Sequence, residues 1–216
     1  FRMSPQLQEA LILAGGLGTR LRGVVQGRPK VMAPVQGKPF LEYVLSYLEH
    51  KRFRRIILSV GHQHEIIRDH FGDQWKSLKL DYAIEPEPLG TGGALMFALG
   101  QVSQDHFLLL NGDSLFLADP EALTELHLKN NARITLALKA MEHFNRYGMV
   151  ILNHDRISGF TEKEYRDHGL INGGFYVASI RLFQGTSLKG KFSLEQDYLQ
   201  TYCQDHCICG KEDPGY

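Results

Sequence analysis

The chain has 216 residues, 43% of them hydrophobic, enough for one well-packed domain. Lys and Arg total 24 and Asp and Glu total 24, so no net field draws it toward nucleic acid or an anionic membrane surface, and neither is expected as a partner. The longest apolar runs, such as Phe107–Leu110, fall far short of the roughly 20 residues of a membrane helix, and no signal-peptide core is read before the first strand; with Met3 as the natural start, a cytoplasmic protein is expected.

In chain order, short apolar runs alternate with segments of helical period, the pattern of a βαβ sheet covered on both faces. The first strand, Leu11–Ala14, runs into LAGGLGTR (Leu13–Arg20). Gly15, Gly16 and Gly18 let the backbone turn sharply and aim successive N–H groups at an anion, and Arg20 adds a fixed charge. On the glycines alone, a plain glycine-rich βα turn is the favoured reading. The dinucleotide pattern G-x-G-x-x-G is broken by Leu21, and G-x-x-x-x-G-K-[ST] is absent.

Next, Arg28–Phe40 reads RPKVMAPVQGKPF, in which Pro29 and Pro34 hold an extended segment that presents Lys30. Helix Pro39–His50, strand Arg55–Val60, helix Gln63–Phe71 and strand Leu80–Ile84 follow. The last of these exits into EPEPLGTGGAL (Glu85–Leu95), a turn suited to close approach of a flat base and its ribose, and then into helix Gly92–Leu99. Strand Phe107–Leu110 ends in LLLNGD, so Asp113 stands beyond the carboxyl end of a buried strand, where open α/β sheets bind ligands. Helix Pro120–Lys129 and strand Ile134–Leu138 complete the regular part.

Beyond Lys139 the rhythm loosens. Tyr147–Leu152 and Gly169–Val177 read as strands that cap the sheet on one side, with FTEKE (Phe160–Glu164) and INGG (Ile171–Gly174) beside them. Cys203, Cys207 and Cys209 crowd around His206, but their spacing matches no common zinc pattern, so reduced thiols are expected.

LAGGLGTR followed by RPK and PV.GKPF resembles the sugar-phosphate nucleotidyltransferases. The resemblance implies a Rossmann-like, mixed but mostly parallel sheet flanked by helices. It also implies one domain over residues 3–216, with a nucleotide half at about 9–140 and a sugar-phosphate half at about 141–216. The implied ligands are a nucleoside triphosphate and a sugar 1-phosphate, with Mg2+ as cofactor; a homo-oligomer is compatible with the family.

By resemblance, Leu13, Ala14, Gly15, Gly16, Gly18, Thr19, Arg20 and Lys30 hold the triphosphate. Arg20 and Lys30 stabilise departing pyrophosphate, and Asp113 holds the metal. Glu85, Gly90, Thr91 and Gly92 face the nucleoside. A carboxylate only accepts hydrogen bonds and guanine offers adjacent N1–H and N2–H donors, so Glu85 suits GTP; uridylyl enzymes of similar appearance leave uracil open. Asn111, Tyr147, Gly148, Glu162, Lys163, Asn172 and Gly173 match the sugar-phosphate side.

Within the family, EPLGTGGAL and FTEKE are most similar to bacterial D-glycero-α-D-manno-heptose-1-phosphate guanylyltransferases, which implies GDP-heptose as product. Mannose-1-phosphate guanylyltransferases and MurNAc-1-phosphate uridylyltransferases are the rivals, and a non-catalytic sensing subunit is the alternative of another class. The family's second metal-binding aspartate lies in a segment resembling F-I-D-I-G. That segment would begin where this chain stops, so the natural protein is expected to continue; Asp197 is the only acidic stand-in, and a helical surface position is its plainer reading.

Overall fold

The computed structural model describes residues 6–16 and 28–215. Its first half comprises β1 (Glu9–Leu13), β2 (Pro34–Val35), β3 (Lys38–Pro39), α1 (Phe40–His50), β4 (Arg55–Val60), α2 (His64–Phe71), β5 (Gln74–Trp75), β6 (Leu78–Ile84), α3 (Gly90–Ala98), β7 (His106–Asn111) and α4 (Pro120–Lys129). The second half adds β8 (Ile134–Phe144), β9 (Val150–Asn153), β10 (Arg156–Phe160), β11 (Arg166–Ser179) and β12 (Ile208–Glu212). The eight elements that the sequence places on strands or helices before residue 130 all form, and the expected mixed sheet is the fold.

Strands β1, β4 and β7 are nearly unbroken apolar runs because helices cover both of their faces. Successive side chains point to opposite faces, so the sheet builds two cores. Ala10, Ile12, Ile56, Leu58, Leu108 and Leu110 face Leu41, Leu45 and Leu48 of α1. Leu11, Ile57 and Leu109 face Leu95 and Ala98 of α3, with Leu194, Tyr198 and Leu199 from further along the chain. Each fully buried leucine here would cost about 2–5 kcal/mol to truncate to alanine.

The ten-stranded sheet runs β5-β6-β4-β1-β7-β11-β8-β12-β10-β9. β6, β4, β1 and β7 are mutually parallel, and β11 lies antiparallel between β7 and β8. This corrects the expectation that the later strands merely cap the sheet: only β9 and β10 do so, at its edge. The reason is the run Phe175–Ala178, which is buried on both faces and therefore needs a central position. The two extra residues that β11 carries between Asn172 and Tyr176, opposite Leu138 and Leu136, make a bulge that holds the INGG segment.

β12 has no counterpart in the sequence reading. It pairs parallel with β8, from Ile208 against Ile134 to Glu212 against Leu138. Cys209 lies on it and Cys207 just before it, their sulfurs 3.9 Å apart, and burial beside Cys207 pushes the Cys209 thiol up to about 12. All three cysteines are free thiols. Among the described residues no three His, Cys, Asp or Glu side chains converge as metal ligands would.

Candidate active site

One rung of the sheet carries the site. Leu13 of β1 is paired with Ser59 of β4 on one side and Asn111 of β7 on the other, and all three side chains leave the same face. Above them opens a cleft of about 480 Å³, lined by Leu13, Ala14, Gly15 and Gly16, by Lys30 and Val31, by Ser59 and Glu85, by Gly90 and Thr91, and by Asn111 and Asp113. The size is that of a small-molecule site. The strand exits singled out in the sequence therefore converge on one cleft.

At one end Glu85 leaves β6 and crosses Gly15. A Cβ on Gly15 would lie 2.5 Å from Glu85 Oε1, so any side chain there would push the carboxylate aside. The backbone N–H of Leu89 donates to Glu85 Oε2 at 3.2 Å. Burial raises the Glu85 carboxyl above its usual range, opposed by the hydrogen bond from Leu89 and, more weakly, by the nearby Ser59 hydroxyl. The carboxylate is thus a half-buried acceptor at this end of the cleft.

At the other end Lys30 Nζ donates to Asp113 Oδ2 at 2.6 Å. Lys30 opens a 3-10 turn whose next two residues, Val31 and Met32, are buried and anchor it to the core. Asp113 follows Gly112, whose N–H is tied to the Leu13 carbonyl at 2.9 Å and whose added Cβ would lie 2.6 Å from that oxygen. Both charges are thus held by backbone, yet remain about a third to two-fifths exposed.

The EPLGTGGAL glycines divide their work. Gly90 and Thr91 line the cleft, but Gly92 and Gly93 are buried. A Cβ on Gly92 would lie 2.2 Å from the Phe192 ring, and one on Gly93 2.2 Å from the Gly190 carbonyl oxygen. Gly92, read as a nucleoside contact, instead lets the 190–194 segment settle on α3. That packing brings Lys191 and Glu195 to the cleft, where Thr91 Oγ1 donates to Glu195 Oε2 at 3.1 Å.

Sequence reasoning missed Lys191 and Glu195. Asp197, the acidic stand-in whose plainer reading is a helical surface position, is absent from the cleft lining: its Oδ2 accepts the N–H of Ser193 at 2.6 Å at the start of the helical turn Leu194–Gln200. The nearest signal in the sequence was the Glu195 two positions earlier.

The sugar-side residues, Asn111 excepted, lie outside the lining of the cleft. Gly148 abuts Thr161, because a Cβ there would lie 2.5 Å from the Thr161 carbonyl oxygen, and Met149 N donates to Thr161 Oγ1 at 3.1 Å. This joins exposed Tyr147 to exposed Glu162 and Lys163. Asn172 holds the β11 bulge, donating to the Tyr176 hydroxyl at 2.9 Å and accepting from Gly174 N at 3.0 Å. Gly173 makes room for the Phe116 ring, 2.1 Å from where its Cβ would be, and Gly174 lies against the Asn111 side chain. Asn111 is the member of this group that lines the cleft itself. Gly18, Thr19 and Arg20 lie outside the described residues.

A family model described as nucleotidyl transferase matches residues 9–206. The chain is 47% identical over 192 residues to the D-glycero-alpha-D-manno-heptose 1-phosphate guanylyltransferase of Aneurinibacillus thermoaerophilus, covering 89% of this chain and 84% of that protein. It is 42% identical over 195 residues to the protein of the same name from Campylobacter jejuni, covering 90% and 86%. Among solved structures, HddC from Yersinia pseudotuberculosis complexed with GMP-PN superposes with a TM-score of 0.82 at 31% identity, over 97% of this chain and 92% of that one.

Proposed function

Because the chain belongs to the nucleotidyl transferase family, we propose that it transfers GMP from GTP to D-glycero-α-D-manno-heptose 1-phosphate, releasing pyrophosphate and forming GDP-heptose. The observation that supports this reading is the convergence of Gly15, Gly16, Lys30, Glu85 and Asp113, from four separate stretches of chain, on one cleft. The two relatives named as heptose 1-phosphate guanylyltransferases supply the substrate pair.

In this reading the guanine lies at the Glu85 end, where the carboxylate accepts from N1–H and N2–H, and the ribose passes Gly90 and Thr91. The triphosphate follows the Gly15–Gly16 backbone toward Lys30. An oxygen of the sugar phosphate attacks the α-phosphorus, a new P–O bond forms, and the bond to pyrophosphate breaks. The protein's share is positioning and charge neutralisation. Lys30 neutralises charge on the departing pyrophosphate, and Asn111 orients the incoming phosphate. Lys163 binds that phosphate, while Glu162 accepts from sugar hydroxyls.

The donor set suits a divalent cation. Asp113 is an exposed carboxylate whose Oδ2 already holds a cation, the Lys30 ammonium, and magnesium is satisfied by one or two carboxylates together with substrate phosphate oxygens. When bound at Asp113, Mg2+ supplies Lewis-acid polarisation of the phosphoryl oxygens.

The experiment is pyrophosphate release from GTP, UTP, CTP and dTTP, each offered with heptose 1-phosphate, mannose 1-phosphate and MurNAc 1-phosphate. GTP with the heptose phosphate is expected to give the highest kcat/KM. Nucleotide binding without release in any combination would point to a sensing subunit instead.

A further inference from the structure

Three buried side-chain polar atoms complete no hydrogen bond among the described residues, and two of them, Ser59 Oγ and Asn111 Oδ1, line the cleft. They stand on the same rung of the sheet, one strand to either side of Leu13, and so roughly 10 Å apart by strand spacing. Buried polar groups without partners are uncommon and point to a ligand or to a group that moves. Asn111 belongs to the phosphate end already described. Ser59, with no exposed surface of its own, lies at the base end, between the buried Leu58 and Val60 near the carboxyl end of β4.

Its neighbour is Glu85. That side chain borders two spaces: the cleft, and a second cavity of about 560 Å³ bounded by Gly61, His62, Gln63 and His64. Ser59 lines the first and not the second. Glu85 Oε2 is held by Leu89 N, while Oε1 lies over Gly15, and among the described residues the Ser59 hydroxyl is the side-chain donor beside this carboxylate.

We infer that Ser59 is a positioning residue for base recognition: its buried hydroxyl donates to Glu85 when a nucleotide is bound and keeps the carboxylate turned into the cleft, with both oxygens able to accept. The inference rests on Glu85 facing the base. A carboxylate free to swing toward the second cavity would present one oxygen at best, and guanine would lose the paired contact that separates it from bases lacking the 2-amino group.

The test compares GTP with ITP, which lacks that amino group, as kcat/KM for pyrophosphate release in the full chain, Ser59→Ala, Ser59→Cys, Glu85→Gln and the Ser59→Ala/Glu85→Gln pair. Wild type should prefer GTP, and Ser59→Ala should lower the GTP to ITP ratio about tenfold, the worth of one charge-assisted hydrogen bond. Ser59→Cys fills the same space with a weak donor and should follow Ala in selectivity while keeping the packing. In the Glu85→Gln background Ser59→Ala should change the ratio no further.

Equal losses with GTP and ITP in both Ser59 variants would mean that the hydroxyl only supports the fold, and would overturn the inference. A wild type that does not distinguish GTP from ITP would remove Glu85 as the base reader and the inference with it, a failure visible before any variant is made.

Discussion

Lys30 Nζ and Asp113 Oδ2 lie 2.6 Å apart although 83 residues separate them in the chain. The pair joins the 3-10 turn that Lys30 opens to the exit of β7, and each charge neutralises the other. On the proposed function, with Asp113 at the metal and Lys30 at phosphate, substrate binding is expected to exchange this contact.

Substitution of Asp113 by Asn is expected to lower kcat about a thousandfold, corresponding to about 4 kcal/mol of lost transition-state stabilisation. Its effect on folding should stay within about 1 kcal/mol, since a pair this exposed contributes little. Steady-state kinetics and urea denaturation separate the two. A variant that turns over normally would remove Asp113 from the metal's coordination.

Glu85→Gln should act in opposite directions on function and stability. Burial is the largest influence on this carboxyl and raises its pKa, so the folded state holds the proton more tightly than the unfolded chain does. The stability contributed by the protonated form is full below the unfolded value near 4.3 and is lost as pH rises through the folded value. At neutral pH the ionised Glu85 is therefore a modest burden, and Gln should raise the melting temperature slightly while abolishing the preference for GTP over ITP. A variant of lower stability that keeps its selectivity would contradict both halves.

How far the site can be read from sequence depends on whether the information is local. Leu13–Gly16, Glu85 and Asp113 each sit where an apolar strand gives way to glycine, proline or a carboxylate, and Lys30 stands between Pro29 and the apolar Val31–Met32; such transitions are visible in a few residues. Lys191 and Glu195 have no such signature. They reach the cleft because Gly92 and Gly93 accept the 190–194 segment, more than ninety residues away along the chain, and a glycine pair does not announce whether ligand or backbone will fill the space. The central place of β11 was hidden for a related reason. Its polar first half, bulged at Asn172, masked the buried run Phe175–Ala178 that decides its position.

Gly93→Ala tests that packing. The new Cβ would lie 2.2 Å from the Gly190 carbonyl oxygen and 3.0 Å from Leu89 Cβ, so backbone must shift, at a cost of about 1–3 kcal/mol. The displaced segment carries Lys191 and Glu195, and KM for the nucleotide should rise in parallel. Gly100→Ala is the control, since nothing lies within 4 Å of its added Cβ. Equal stabilities in the two variants would show that α3 does not depend on a bare surface at position 93.

A final expectation concerns acid. His127 has no exposed surface; it is bonded through Nδ1 to Thr135 Oγ1 and through Nε2 to His106 Nδ1, both at 3.0 Å. Burial first, and the neighbouring His106 second, lower its pKa to about 3. The unfolded chain takes up a proton near pH 6.5 that the folded chain refuses, so stability is full above that value. Between pH 6.5 and about 3 it is lost at up to about 1.4 kcal/mol per pH unit. Glu9 extends the decline. Burial pushes its carboxyl up, but hydrogen bonds from Ser103, Arg55 and Gln104 together outweigh burial and hold it below its ordinary value. That contribution also fades as pH falls through the folded value. His127→Leu should cost about 1–3 kcal/mol at neutral pH by stranding Thr135 and His106, yet flatten the slope between pH 6 and 4. Urea midpoints measured across that range decide it, and an unchanged slope would mean that His127 takes up its proton in the folded protein as readily as in the unfolded chain.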